Sequence, residues 1–244
     1  MLLDFPDKHP ELHQQYVHVW RVDLEQLHER ADDYLFLLSH DERQRAQKFF
    51  FQKDRQQFVV TRGVLRTILG GYMHLPPASV TFSYTEHGKP FLLETTNPER
   101  VAFNIAHSRT LALIAVTRDR MIGIDVEYCR PDVLDQNIAE RFFSPREVAT
   151  LRSLPEAQQE EAFFNCWTRK EAFIKAKGEG LSLPLDRFDV SLAPDEPAAL
   201  LETRPDRSEA QHWSLVALDV DPPYKAALAV RDQGFQTLIW NFPA

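Results

Sequence analysis

LALIAV at residues 111–116 and KAALAV at residues 225–230 decide the fold. Both are short apolar runs of strand length, bounded by polar or turn-forming residues. Outward from the first run, strand patterns stand at 103–107 and 80–85, and two helical segments precede them. The earlier helix is expected over 39–51, because Ser39 followed by Glu42 is a capping box; the next is expected over 54–72. Outward from the second run, strands are expected at 212–218 and 188–192, and a long helix at 158–177. Ahead of that helix, Ser144 and Glu147 repeat the capping box. Further strands are expected at 17–22, 122–127 and 236–240.

The order helix, helix, strand, strand pair therefore occurs twice. The expected fold is α+β, a pseudo-dimer of two similar α/β subdomains over residues 1–118 and 119–244. Each would be a small, mostly antiparallel sheet packed by helices, joined near residues 118–121, with the active site in the cleft between them. Segment 193–210, rich in proline and acids, reads as a loop insertion.

Composition narrows the function classes. The chain has 244 residues, 43% hydrophobic and 26% charged, which fits a folded globular protein. A net charge of −8 argues against a protein that lives on nucleic-acid backbone contacts. Two cysteines in no paired motif, Cys129 and Cys166, exclude a disulfide scaffold and a cysteine-rich zinc site. The longest apolar run is far too short to cross a bilayer, so no membrane partner is expected. Asp4, Pro6, Asp7 and Lys8 interrupt the region where a secretory leader needs apolar residues, and a cytoplasmic protein is expected. Against the acidic whole, residues 41–66 hold seven basic and three acidic side chains, a local excess of +4 suited to binding an anion.

Four short motifs carry chemistry. In MIGIDVE (121–127), alternation puts Asp125 and Glu127 on one face of a strand and the isoleucines on the other. Paired carboxylates repel unless a cation lies between them, and hard oxygen ligands suit Mg²⁺. In WTRKEAFIK (167–175), Glu171 and Lys175 share a helix face with Trp167. FNIAHS (103–108) ends a strand with Asn104, His107 and Ser108, three groups able to hold a phosphate, and HGKPF (87–91) is a turn in which Gly88 permits close approach of a ligand. Each has an ordinary reading too: a polar strand face, a surface ion pair, a structural histidine, a turn. Dinucleotide-binding, phosphate-loop and nucleophile-elbow motifs are absent from the sequence. Cys166 reads as a small packing residue.

The ordered set GKP (88–90), FNIAHS, GIDVE (123–127) and WTRKEAFIK, with FSPRE (143–147) and GLSLPL (180–185), resembles the 4′-phosphopantetheinyl transferases of the surfactin-synthetase-activating (Sfp) type, cyanobacterial members among them. The resemblance runs from about residue 39 to 192. It implies two α/β halves with coenzyme A between them, working as a monomer. The reaction it implies moves the 4′-phosphopantetheine arm of coenzyme A onto a serine of an apo acyl carrier protein, or of a peptidyl or polyketide carrier domain, and releases adenosine 3′,5′-bisphosphate. By the same resemblance Asp125, Glu127 and Glu171 hold Mg²⁺, with Mn²⁺ an alternative. Glu171 also takes the serine proton, and Lys175 neutralises phosphate charge. His107 and Ser108 meet the pyrophosphate, while His87, Gly88, Lys89 and Pro90 border the adenine and 3′-phosphate. Arg45 and Arg62 match basic positions near that phosphate, and Lys170 faces phosphate as well. Phe163, Phe164 and Phe173 are expected to form the apolar groove for the carrier. Two positions depart from the family pattern: Ala106 stands where a serine is usual, and Glu42 where some relatives carry a base. Two other classes remain open on sequence: a Mg²⁺-dependent nucleotide pyrophosphatase, and a non-catalytic module binding coenzyme A or a carrier.

Overall fold

A computed structural model describes residues 2–3, 10–130 and 137–243. Residues 4–8, on which the leader reading rests, lie outside these. The strands are β1 (Leu2–Leu3), β2 (Tyr16–Asp23), β3 (Ser83–Tyr84), β4 (Pro90–Phe91), β5 (Val101–Ser108), β6 (Leu111–Arg118), β7 (Ile122–Tyr128), β8 (Phe188–Val190), β9 (Leu200–Thr203), β10 (Ser214–Leu218), β11 (Tyr224–Val230) and β12 (Gln236–Asn241). The α-helices are α1 (Ala31–Leu35), α2 (His40–Gln47), α3 (Gln52–Met73), α4 (Ile138–Phe142), α5 (Pro145–Ser153) and α6 (Glu156–Lys177). Among the described residues no helix is long and apolar enough to cross a membrane.

Four layers stack as helix, sheet, sheet, helix. The first sheet runs β1-β12-β2-β6-β5 and the second β10-β11-β7. Strand alternation explains the stacking. On β6, Ala112, Ile114 and Val116 face a core shared with Val60, Val64 and Ile68 of α3. Leu111, Leu113 and Ala115 on the other face meet Ile122, Ile124, Val126, Leu228 and Val230 of the second sheet. Ala227 and Ala229 of β11 turn outward to Ala172 and Phe173 of α6. LALIAV and KAALAV are thus both in strands buried on two faces. Ala106 lies in the core between the sheets.

Three expectations need correction. Segment 193–210 is not a plain loop: β9 lies within it and pairs antiparallel with β8. The strand at 236–241 does not stay with the second half but enters the first sheet, parallel to β2, with Gln236 opposite Tyr16. The expected strand at 80–85 shrinks to Ser83–Tyr84.

Both capping boxes form, and both glutamates do more than cap. Glu42 accepts from Ser39 N at 3.0 Å, takes Arg66 Nε at 2.7 Å and pairs with Arg62 at 3.2 Å. Arg66 passes its other donors to the carbonyls of Pro77 (3.1 Å) and Val80 (2.7 Å). Glu147 accepts from Ser144 N and from Val190 N, each at 2.8 Å, and pairs with Lys170 at 2.8 Å. Lys170 donates to the carbonyls of Leu185 and Phe188, both at 2.7 Å. Arg66 and Lys170 stand at the same place in two 22-residue helices, fourteen residues beyond Gln52 and Glu156 respectively.

At Gly123 of β7, α6 comes so close that a Cβ would lie 2.0 Å from Ala172 O and 2.3 Å from Ala176 N. Only glycine fits there. Gly123→Ala should lower the thermal midpoint by roughly 5–10 °C, since backbone on both sides must separate; an unchanged midpoint would show that α6 is not held by this contact. Lys170→Met should cost about 3–5 kcal/mol in urea unfolding, because Glu147 would remain buried without its cation.

Candidate active site

The two halves meet along β5 and β7, where side chains replace a backbone ladder. Asn104 Oδ1 accepts from Ile124 N at 2.9 Å. Ser108 Oγ accepts from Tyr128 N at 3.1 Å and donates to Glu127 Oε2 at 3.2 Å. Asn104 and Ser108 therefore stitch the seam. His107 is exposed beside it, with Nδ1 3.2 Å from Gln57 Nε2 of α3.

On the seam, β7 alternation sends Gly123, Asp125 and Glu127 toward α6. α6 answers with Glu171 and Lys175 at i,i+4. Lys175 Nζ donates to Asp125 Oδ1 at 2.6 Å. Asp125 Oδ2 is buried and has no partner. Burial pushes the Asp125 carboxyl up, and Lys175 opposes it. Glu127 is raised by burial and then by Asp125. Glu171 is pushed up to about 7, first by burial and then by Asp125 and Glu127. His107 reaches solvent at one edge, yet the protein packed around its ring, and secondarily the Lys175 charge, hold it below its ordinary value.

The three carboxylates thus feel one another without converging: among the described residues no three histidine, cysteine or acidic side chains are gathered tightly enough to hold a metal ion. The residues nonetheless fit a hard cation in kind. All three carboxylates are destabilised as anions by burial, one lysine serves them, and Asp125 Oδ2 is buried with no hydrogen-bond partner.

Two cavities flank this seam. One, about 290 Å³, gathers His87, Gly88, Lys89, Pro90, Asn104, Glu171 and Lys175. The HGKPF turn and the WTRKEAFIK helix, far apart in sequence, share that space. The other, also about 290 Å³, is lined by Ser108, Glu127, Tyr128, Phe163, Phe164 and Trp167. Asp125 lies between them, one strand repeat from Glu127.

Several expected residues are placed otherwise. Lys170 does not face phosphate: it is 0% exposed and spends its ammonium on Glu147 and two carbonyls. Lys89 borders the cavity, but its ammonium donates to the carbonyls of Lys175 (2.5 Å), Ile122 (3.1 Å) and Ala176 (3.4 Å). It caps the C-terminus of α6, and burial brings it down to about 8. Arg62 is buried against Glu42, Phe82 and Tyr84, with Nη1 unpartnered. Arg45 is exposed, its guanidinium 5.3 Å from the Phe58 ring centre. Phe173 is not a docking residue: it packs in the core against Phe188 and Trp213. Phe163 and Phe164 are buried too, though both line the second cavity. Glu42, a departure from the family's basic position, is the structural anion that holds Arg66.

Sequence reading missed Gln57 and Arg109. Gln57 Nε2 donates to Arg109 O at 3.1 Å as well as approaching His107. Nothing in the sequence marks Gln57, and Arg109 carries no signal beyond standing between two strand patterns.

Comparison with known proteins identifies the family. Residues 24–119 match the profile of the 4′-phosphopantetheinyl transferase N-terminal region, and residues 121–229 that of the 4′-phosphopantetheinyl transferase superfamily. The chain is 43% identical over 226 residues to the 4′-phosphopantetheinyl transferase HetI of Nostoc sp., covering 93% of this chain and 92% of the relative. It is 30% identical to the 4′-phosphopantetheinyl transferase Sfp of Bacillus subtilis, covering 85% of this chain and 88% of that one. Among solved structures, the holo-[acyl-carrier-protein] synthase of Thermotoga maritima aligns at 21% identity and a TM-score of 0.38, over 47% of this chain and 64% of that one, a likeness too slight to add to the argument. Matched in order along both halves and nearly end to end by a relative, this chain belongs to the 4′-phosphopantetheinyl transferase family.

Proposed function

We propose that this transferase takes its phosphopantetheine from coenzyme A and sets it on the serine of an apo acyl carrier protein, or of a peptidyl or polyketide carrier domain. It releases adenosine 3′,5′-bisphosphate and works as a monomer in the cytoplasm. The observation that carries the reading is Glu171: a carboxylate that lines one cavity with Lys175 and the 87–90 turn, and that burial and the Asp125 charge push up to about 7.

A serine hydroxyl is a weak nucleophile, and a general base is most effective when its pKa lies near the working pH. Glu171 meets that condition. The serine oxygen bonds to the phosphorus carrying the pantetheine arm, the bridging P–O bond to the adenosine-side phosphate breaks, and the serine proton passes to Glu171. Lys175 is the nearest cation to Glu171 and Asp125, and neutralises charge that accumulates on the phosphates. His87, Gly88, Lys89, Pro90 and Asn104 line the cavity assigned to coenzyme A, with Arg45 as an exposed cation for its 3′-phosphate. His107 and Ser108 border the pyrophosphate. Asp125, Glu127 and Glu171 would hold Mg²⁺ or Mn²⁺, which when bound supplies charge neutralisation at the pyrophosphate.

The deciding experiment is intact-mass analysis of an apo carrier protein incubated with the enzyme, coenzyme A and Mg²⁺. A gain of one phosphopantetheine is expected, and none when coenzyme A or the metal is omitted. Glu171→Gln should reduce kcat by about a hundredfold or more, the usual worth of a general base. Hydrolysis of coenzyme A without a carrier would instead indicate a pyrophosphatase.

Glu171 also makes a pH prediction for stability without metal. Its folded pKa of about 7 lies above the ordinary 4.5, so the folded state holds this proton more tightly. The resulting penalty is absent below about 4.5 and complete above about 7. Urea unfolding should show Glu171→Gln gaining on the wild type by on the order of 1–3 kcal/mol between pH 4 and pH 8. Added Mg²⁺ should raise the thermal midpoint of the wild type and do so less for Asp125→Asn.

A further inference from the structure

Arg109 is the residue in this region with the least local reason to be an arginine. It sits in the turn between β5 and β6 with φ of 49°, a left-handed conformation that glycine accepts freely and an arginine does not. The turn is not loose. Gln57 reaches across from α3 and donates to Arg109 O, while approaching His107 Nδ1. Strain of this kind persists where surrounding structure over-determines it, and it concentrates at ligand sites.

The side chain is positioned as well as the backbone. The Arg109 guanidinium lies over the Tyr128 ring, 3.3 Å from its centre. Tyr128 is in turn fixed edge-on to Tyr224, with ring centres 5.3 Å apart. Among the described residues no carboxylate forms an ion pair with Arg109, although Glu127 is the neighbour of Tyr128 in sequence. A stacked guanidinium keeps its N–H edges free for a planar anion.

Its location gives the direction of approach. Arg109 is common to the linings of the second 290 Å³ cavity and of a larger open groove of about 810 Å³. The groove runs along the first turns of α3, past Lys53, Gln56 and Gln57, to Arg109 and Thr110; Glu25 and Glu29 also line it, so its positive charge is local to Lys53 and Arg109. Glu127 stands in the cavity beyond. The cavity assigned to coenzyme A lies on the other side of Asp125 and does not include Arg109.

We propose that Arg109 is a specificity-determining residue for the acceptor: it receives a carboxylate on the carrier protein near the reacting serine, as that serine enters from the Glu127 side. This rests on the transferase reading above. An anionic acceptor suits it by charge, and the stacked, edge-open guanidinium suits a carboxylate by shape.

The test is steady-state kinetics on an apo carrier, varying carrier and coenzyme A separately. Arg109→Gly removes the guanidinium and supplies the residue the turn prefers, so folding is not at risk; its thermal midpoint should equal or exceed the wild type. Its KM for the carrier should rise by about tenfold, the scale of one charge-assisted contact, with kcat and the KM for coenzyme A nearly unchanged. Arg109→Lys, which keeps charge and loses the stacked plane, should fall between. The salt dependence of kcat/KM should flatten in Arg109→Gly. A wild-type carrier KM in Arg109→Gly would overturn the proposal, and so would a change confined to the KM for coenzyme A, which would make Arg109 a pyrophosphate ligand. Failure of the wild type to modify any carrier would instead be a failure of the transferase reading.

Discussion

The arrangement depends on two buried anions. Glu42 and Glu147, each 2% exposed, begin short helices as capping-box residues and then take a cation from the long helix that follows. Arg66 and Lys170 complete their hydrogen bonds on carbonyls of the segment that follows each helix. Each device joins a short helix, a long helix and the chain beyond it at one point. Removing one partner from such a pair strands the other charge in a medium that solvates it poorly, which makes the register of the long helix stiff. In the second half this stiffness matters for chemistry: Glu171 follows Lys170 directly, so the anchor that fixes one residue inward fixes the next toward β7.

The site then follows from close approach. Gly123 lets α6 settle on β7 through Ala172 and Ala176. With the helix that near, Glu171 and Lys175 stand against Asp125, and burial of three carboxylates around one lysine produces the raised values. Lys89 adds a strap from the first half, its ammonium on the last carbonyls of α6. The reactive seam is therefore built by elements from both halves, and neither half holds a complete version.

Much of this is legible in the sequence. Alternation in MIGIDVE and the i,i+4 spacing of Glu171 and Lys175 are properties of strands and helices, so the shared face of Asp125 and Glu127 and that of Glu171 and Lys175 could be read from spacing; that the two faces meet is implied only by the family resemblance. Both capping boxes were legible for the same local reason. What escaped was decided by long-range pairing. Lys170 and Lys175 look alike in sequence, yet one meets Glu147 inside the core and the other Asp125 on the seam. Phe173 reads as a surface aromatic until Phe188 and Trp213 are brought against it from later in the chain. β9 was hidden because its own four residues, LLET, are too few for alternation to register among the surrounding prolines and acids.

The placement of β12 carries a consequence for synthesis. Tyr16 pairs with Gln236, and Asn241 with Arg21. The first sheet thus waits for residues made more than two hundred positions later. Until they emerge, β2 presents an open edge beside β6, and the apolar residues it shares with the second sheet have nothing to cover them. The first half cannot be finished ahead of the second on the ribosome; both close together, and closure comes late. A nascent chain of this protein should be a client of holdase chaperones for most of its translation, with release timed by the appearance of a single six-residue strand.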